Sequence, residues 1–199
     1  MNDLKVFVNF RNGDGQQAAA HLYDALVDRY EPEQIFRSSE TIPAGDDYVA
    51  ALAAAPAASE VTLAMIGPRW LEITDTQGRP RLSDPDDWVR REICTALDAG
   101  KRVIPVLLDD ARPLDEAHLP EDIAALARNQ YLRWYSRDTS SSFMTIAGRL
   151  ERLVPSLRKN PSATEGGVSQ HNNASNGGIV MAPMFGDNKM DRPPQIGKD

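Results

Sequence analysis

Residues 82–108 read LSDPDDWVRREICTALDAGKRVIPVLL. The stretch predicts a helix feeding a buried strand. Asp84 is placed to N-cap the helix, Pro85 suits its first position, and Asp86 and Asp87 complement the positive end of the helix dipole. Gly100 closes it. The run RVIPVLL that follows is almost wholly apolar, the pattern of a strand covered on both faces in a parallel sheet.

The alternation continues on either side. Apolar runs at 5–10, 61–66, 102–108 and 130–134, with a weaker one at 34–37, predict five strands. Helical periodicity over 16–29, 48–55, 85–99, 121–128 and 139–153 fills the intervals. Strands alternating with helices predict an α/β fold, an open parallel sheet with helices on both faces. Analogy with doubly wound sheets gives the strand order 2-1-3-4-5 and places a functional site at the carboxyl ends of the strands. Those ends are residues 10–15, 37–45 and 67–70.

Composition narrows the function. The chain has 199 residues, 41% hydrophobic and 26% charged, enough to bury one core. A net charge of −7 argues against nucleic acid as the main partner, because phosphates require a basic face. No apolar run approaches the roughly 20 residues of a membrane span, and the N-terminus lacks a signal-peptide layout. No membrane association is expected. The single cysteine, Cys94, excludes an internal disulfide framework and suits a cytoplasmic location. His21, His118 and His171 are far apart in sequence, and no C-x-x-C or H-x-x-x-H spacing occurs, so no metal site is expected. Asp109-Asp110 reads as a solvated loop. No G-x-S-x-G is present, and Cys94 has no histidine near it in sequence.

Beyond Pro155 the composition shifts to Gly, Asn, Ser and Pro. Residues 1–155 are therefore read as one domain, and 156–199 as a mostly disordered tail with one apolar island, GGIVMAPMFG, at 177–186.

GDGQQA, residues 13–18, matches the G-x-G-x-x-G/A spacing of dinucleotide-binding turns. That fingerprint also requires an acid at the end of the second strand to hold a ribose. Here the second strand ends Ile35-Phe36-Arg37-Ser38, with no acid. The glycines are read as a turn, with Asp14 capping the helix that follows.

The sharper anomaly is Glu92. At 100° per residue, Trp88, Glu92, Ala96, Val89, Ile93 and Leu97 fall on one arc of the helix, and Arg90, Arg91, Cys94 and Asp98 fall opposite. A carboxylate inside an apolar arc costs several kcal/mol unless paired. Either Glu92 pairs with an arginine at the rim of the core, or it lines a cleft walled by the Trp88 indole.

Five blocks then occur in order: VFVNFRNGD, IFRSSETIPAGDDY, VTLAMIGPRWL, LSDPDDWVRREICTALDAGKRVIPVLLD and LPEDIAALARNQYLRW. Together they resemble the TIR domain in its bacterial form, over residues 1 to about 155. The resemblance implies a flavodoxin-like fold. It also implies NAD+ glycohydrolase or cyclase activity, with NAD+ as substrate and not as cofactor, activated by TIR–TIR self-association and serving antiphage defence. The glutamate of the family's W-x-x-x-E pattern is here Glu92, with Trp88 its motif partner. Phe10 and Arg11 would line the nucleotide cleft, Trp70 would lie near the nicotinamide end, and the loop 37–46 would cover the substrate with Ser39 and Asp46 as contacts. Asn9 and Phe10 stand where a serine and a tyrosine are common. Core packing for Trp70, strand-end packing for Phe10 and a solvated surface charge for Arg11 are the structural alternatives.

The tail island loosely resembles the short amyloid-signalling motifs of bacterial immune proteins, with IVMA in place of the usual tetrad and Pro183 interrupting the run. Such a motif would couple the domain to an upstream receptor. Two other functions are carried forward: a non-catalytic TIR–TIR adaptor, and a related nucleoside glycosyl-transferring enzyme.

Overall fold

A computed structural model of the chain describes residues 3–38 and 48–161. Its strands are β1 (Val6–Asn9), β2 (Ile35–Arg37), β3 (Val61–Ile66), β4 (Arg102–Leu108) and β5 (Leu132–Trp134). They form one sheet in the order β2-β1-β3-β4-β5, every neighbouring pair parallel. The helices are α1 (Gln16–Arg29), α2 (Tyr48–Ala58), α3 (Trp88–Asp98) and α4 (Thr139–Leu153). The expected fold class and strand order are both present.

Alternation along the strands divides the core. Val6 and Val8 of β1, followed by Phe10, pack with Leu63, Met65, Ile104, Val106 and the apolar faces of α1 and α4. The other face of the sheet carries Ala64, Ile66, Val103 and Leu107, packed on Val89, Ile93 and Ala96 of α3. Phe7 belongs to this second face and stacks on Phe36, with ring centroids 5.8 Å apart and Ala55 of α2 in the same cluster. β1, β3 and β4 are thus buried on both sides, which accounts for their nearly uninterrupted apolar sequences.

Several boundaries differ from those expected. α3 begins at Trp88, not Pro85, because Asp87 and not Asp84 is its N-cap: the Asp87 carboxylate accepts the Arg90 backbone N–H. Asp84 instead accepts the backbone N–H of Asp86 in the preceding turn. α1 is capped by Gly15 without a side-chain bond. Asp14 turns away from it and accepts the backbone N–H of Arg69 after β3. α2 continues through Pro56 to Ala58. Residues Glu121–Arg128 wind as a 3-10 helix, whose three-residue repeat puts Ile123 and Leu126 on one buried face.

The packed chain continues beyond residue 155. Leu157 joins the core, Lys159 bridges to Tyr30, and the Asn160 amide donates to the Val27 carbonyl. The apolar island at 177–186 lies outside the described residues.

Candidate active site

β1 delivers alternate side chains to opposite sides of the sheet, and the site follows from that. Phe7, Asn9 and Arg11 face α3, whereas Val6, Val8 and Phe10 face α1. Asn9 is wholly buried and Glu92 is 3% exposed. The Asn9 Nδ2 donates to Glu92 Oε2 at 2.6 Å and reaches the Val89 carbonyl, one turn earlier in α3, at 3.4 Å. Glu92 is therefore a buried carboxylate held by a neutral amide. Its Oε1 and the Asn9 Oδ1 have no hydrogen-bond partner of good geometry among the described residues.

Burial pushes the Glu92 carboxyl up to about 7. Side-chain hydrogen bonding from Asn9, Trp88 and Ser38 pulls it back, and the nearby negative charge of Asp87 adds to the rise. A carboxyl that titrates near neutrality can hold either charge state at neutral pH.

The arginines that flank Glu92 in sequence are engaged elsewhere. Arg90 makes an ion pair with Asp122 at 3.0 Å. Arg91 lies over the Trp88 ring, 5.6 Å from its centroid. Trp88 is half-buried and packs against the cluster of Leu4, Phe7, Phe36 and Ala55. Cys94, half-buried against the α3-side core, donates its thiol to Asp122, and burial pushes that thiol up to about 12.

A second buried assembly braces the site. Arg11 donates Nη1 and Nη2 to the two oxygens of Asp87 at 2.9 and 2.7 Å. Burial acts to raise the Asp87 carboxyl. The Arg11 bonds, the Arg90 backbone N–H and the charge of Arg81 outweigh it and hold that carboxyl below its ordinary value. The Arg11 guanidinium also sits 6.0 Å from the centroid of the Trp70 ring. Trp70 is 1% exposed and belongs to the α3-side core.

The structure thus joins Glu92, Trp88 and Asn9 directly, and links Arg11 and Trp70 to them through Asp87 and α3. The two terminal nitrogens of Arg11, a residue expected to line the nucleotide cleft, are taken up by Asp87. Phe10 lies on the opposite face, 93% buried in the α1-side core, with Arg37 over its ring at 5.8 Å. Ser39 and Asp46 lie outside the described residues. Ser38, which belongs to the same stretch 37–46 and is described, reaches Glu92. Asn9, Asp87 and Ser38 are the site residues that the sequence reading missed. The available pointer was parity: a strand that places Phe7 against α3 must place Asn9 and Arg11 there too.

The glycine turn is explained by packing. Gly13 adopts φ +84°, which favours glycine. Gly15 has Met65 and Leu108 within van der Waals contact of the position where a Cβ would stand.

Comparison with known proteins agrees with this architecture. Among solved structures, the chain is similar to the TIR domains of the activated Roq1 resistosome directly recognising the pathogen effector XopQ. The TM-score is 0.54 at 16% identity, covering 74% of this chain and 99% of that one. A search of curated proteins gave no match. The family described as TIR domain matches residues 6–146. With the five-stranded parallel sheet and a Trp88–Glu92 pair on its third helix, the chain belongs to the TIR domain family.

Proposed function

We propose that this TIR domain cleaves the nicotinamide–ribose bond of NAD+, releasing nicotinamide with linear or cyclised ADP-ribose. The observation that carries the reading is the buried Glu92 carboxylate, held by Asn9 beside the Trp88 indole and titrating near neutrality. In NAD+ the leaving group is a cationic pyridinium, so the C1′–N bond breaks with its electron pair passing to nitrogen and nicotinamide departs neutral. No general acid is needed. What the reaction demands is stabilisation of an oxocarbenium-like ribose. An ionised Glu92 supplies negative charge in a low-dielectric site, where it counts for most. Water, or a nucleophile within the substrate, then bonds to C1′, and in hydrolysis the water's surplus proton leaves to solvent.

In this reading Trp88 offers an aromatic wall for a base, and Ser39 and Asp46 contact the substrate. Arg11 acts through Asp87 to fix the start of α3, and Trp70 acts through Arg11. Phe10, on the α1 side of the sheet, packs in the core and takes no part in substrate contact. The likeness to TIR domains of a resistosome supports activation by self-association. From the resemblance of the five sequence blocks to bacterial TIR domains we further propose a role in antiphage defence, and from the tail island a link to an upstream receptor.

The test is nicotinamide release from NAD+ at high protein concentration, with and without a crowding agent, beside Glu92→Ala. Release that vanishes in Glu92→Ala supports the assignment. Equal release from the variant overturns the role of Glu92. No release from either chain, even when assembled, leaves the adaptor function in its place.

A further inference from the structure

Asn9 is buried, lies on a different element from Glu92, and is a partner of that carboxylate at 2.6 Å. The same amide also reaches the Val89 carbonyl on α3. It therefore ties Glu92 to the backbone of its own helix. We propose that Asn9 is a positioning residue for Glu92: its amide fixes Oε2 and leaves Oε1 as the oxygen presented to substrate. This rests on the catalytic reading of Glu92 and deepens it.

The chemistry supports the choice of an amide. An ionised carboxylate in a buried site requires a donor. A cationic donor would neutralise the charge needed at the ribose, whereas a neutral N–H stabilises the ionised form and leaves its charge in place. The Oδ1 of Asn9, buried and without a partner among the described residues, is geminal to the donating nitrogen.

Among the described residues, the charged groups beside Glu92 have partners of their own. Asp87, the N-cap of α3, is the facing negative charge, and it is itself paired to Arg11, two residues after β1, and to Arg81. Arg91 on α3 lies over Trp88. Arg37 on β2 lies over Phe10 and Tyr23. The segment Tyr48–Ala58 contains no charged residue. Removing the Asn9 donor therefore has one predicted sign: the carboxyl of Glu92 becomes harder to ionise.

The experiment is a carboxyl-carbon NMR titration of the full chain, with Glu92 assigned by loss of its signal in Glu92→Gln. It is run on wild type, Asn9→Leu and Asn9→Asp, alongside the pH profile of nicotinamide release. Asn9→Leu is expected to move the Glu92 midpoint upward by about one pH unit, and Asn9→Asp further, because a second carboxylate then faces it. The acid limb of the rate profile should shift equally. Asn9→Ser, small and still a donor, covers the case in which Leu does not fold, and its expected shift is smaller. An unchanged midpoint in the folded variants overturns the proposal. A shifted midpoint with no NAD+ cleavage by any chain retains the Asn9–Glu92 coupling and overturns the catalytic reading instead.

Discussion

Arg11 and Asp87 form a bidentate ion pair in which each side chain is only 1% exposed. The pair joins the residue after Phe10 to the N-cap of α3, so the first turn of the helix that bears Glu92 is anchored to the end of β1. Removing one partner of such a pair leaves the other charge buried alone, at a cost of about 3–5 kcal/mol. Arg11→Met should lower stability by that amount in urea denaturation. The double variant Arg11→Met with Asp87→Asn should recover much of the loss, since Asn removes the orphaned charge and still caps the helix. A double variant as unstable as Arg11→Met alone would mean that packing against Trp70, not charge, is what Arg11 contributes.

The buried Glu92 sets stability and activity against each other. Its carboxyl is raised from the ordinary 4.5 to about 7 in the folded protein. The folded state therefore binds the proton more tightly than the unfolded chain between those values. Its contribution is fully favourable below about 4.5 and is lost as pH rises toward 7. Linkage puts the loss at roughly 3 kcal/mol. Glu92→Gln, which cannot ionise, should leave stability near pH 5 little changed and raise the melting temperature at pH 8. A variant no more stable than wild type at pH 8 would mean that burial costs Glu92 far less than its surroundings imply.

Most of this frame is legible in the sequence. The apolar runs mark every strand because a doubly covered parallel sheet leaves little polar surface on its central strands, and the arc containing Trp88 and Glu92 predicts the burial of that carboxylate correctly. The cap of α3 was misplaced because Asp84, Asp86 and Asp87 are equivalent by local chemistry. Only the reach of Arg11 from β1 selects Asp87. Phe10 and Arg11 look like neighbours in a loop, yet strand parity sends them to opposite faces. Asn9 looks like an ordinary polar residue at a strand end. Its role depends on Glu92, 83 positions away, which no local pattern encodes.

Catalysis has the opposite pH dependence. Only the ionised form of Glu92 stabilises positive charge on the ribose, so nicotinamide release should rise through pH 6–8 with a midpoint near 7. The leaving group needs no proton, so the acid limb should stand without a matching basic limb from a general acid. Initial rates at saturating NAD+ in buffers of constant ionic strength provide the check. A bell-shaped profile would require a second titrating group in the mechanism.

Gly67, directly after β3, is a packing constraint set by Asp14. A Cβ at position 67 would fall inside van der Waals contact with all three terminal atoms of the Asp14 carboxylate. That carboxylate also accepts the Arg69 backbone N–H at 3.1 Å, and the Arg69 guanidinium in turn donates to the Gly13 carbonyl. The turn after β1 and the turn after β3 are thus held together at the carboxyl edge of the sheet, with Asp14 as the link. Asp is too short to swing clear and keep its bond, so Gly67→Ala must displace it. The expected cost is about 1–2 kcal/mol, the range for an overpacked contact with a lost hydrogen bond. Asp14→Ala alone removes the bond but opens space, so Gly67→Ala added to Asp14→Ala should cost well under half of what it costs in wild type. A double-mutant cycle by thermal or urea unfolding reads that coupling directly. Strictly additive effects would mean that the turn after β3 gives way by itself, and that Asp14 is not what requires glycine at position 67.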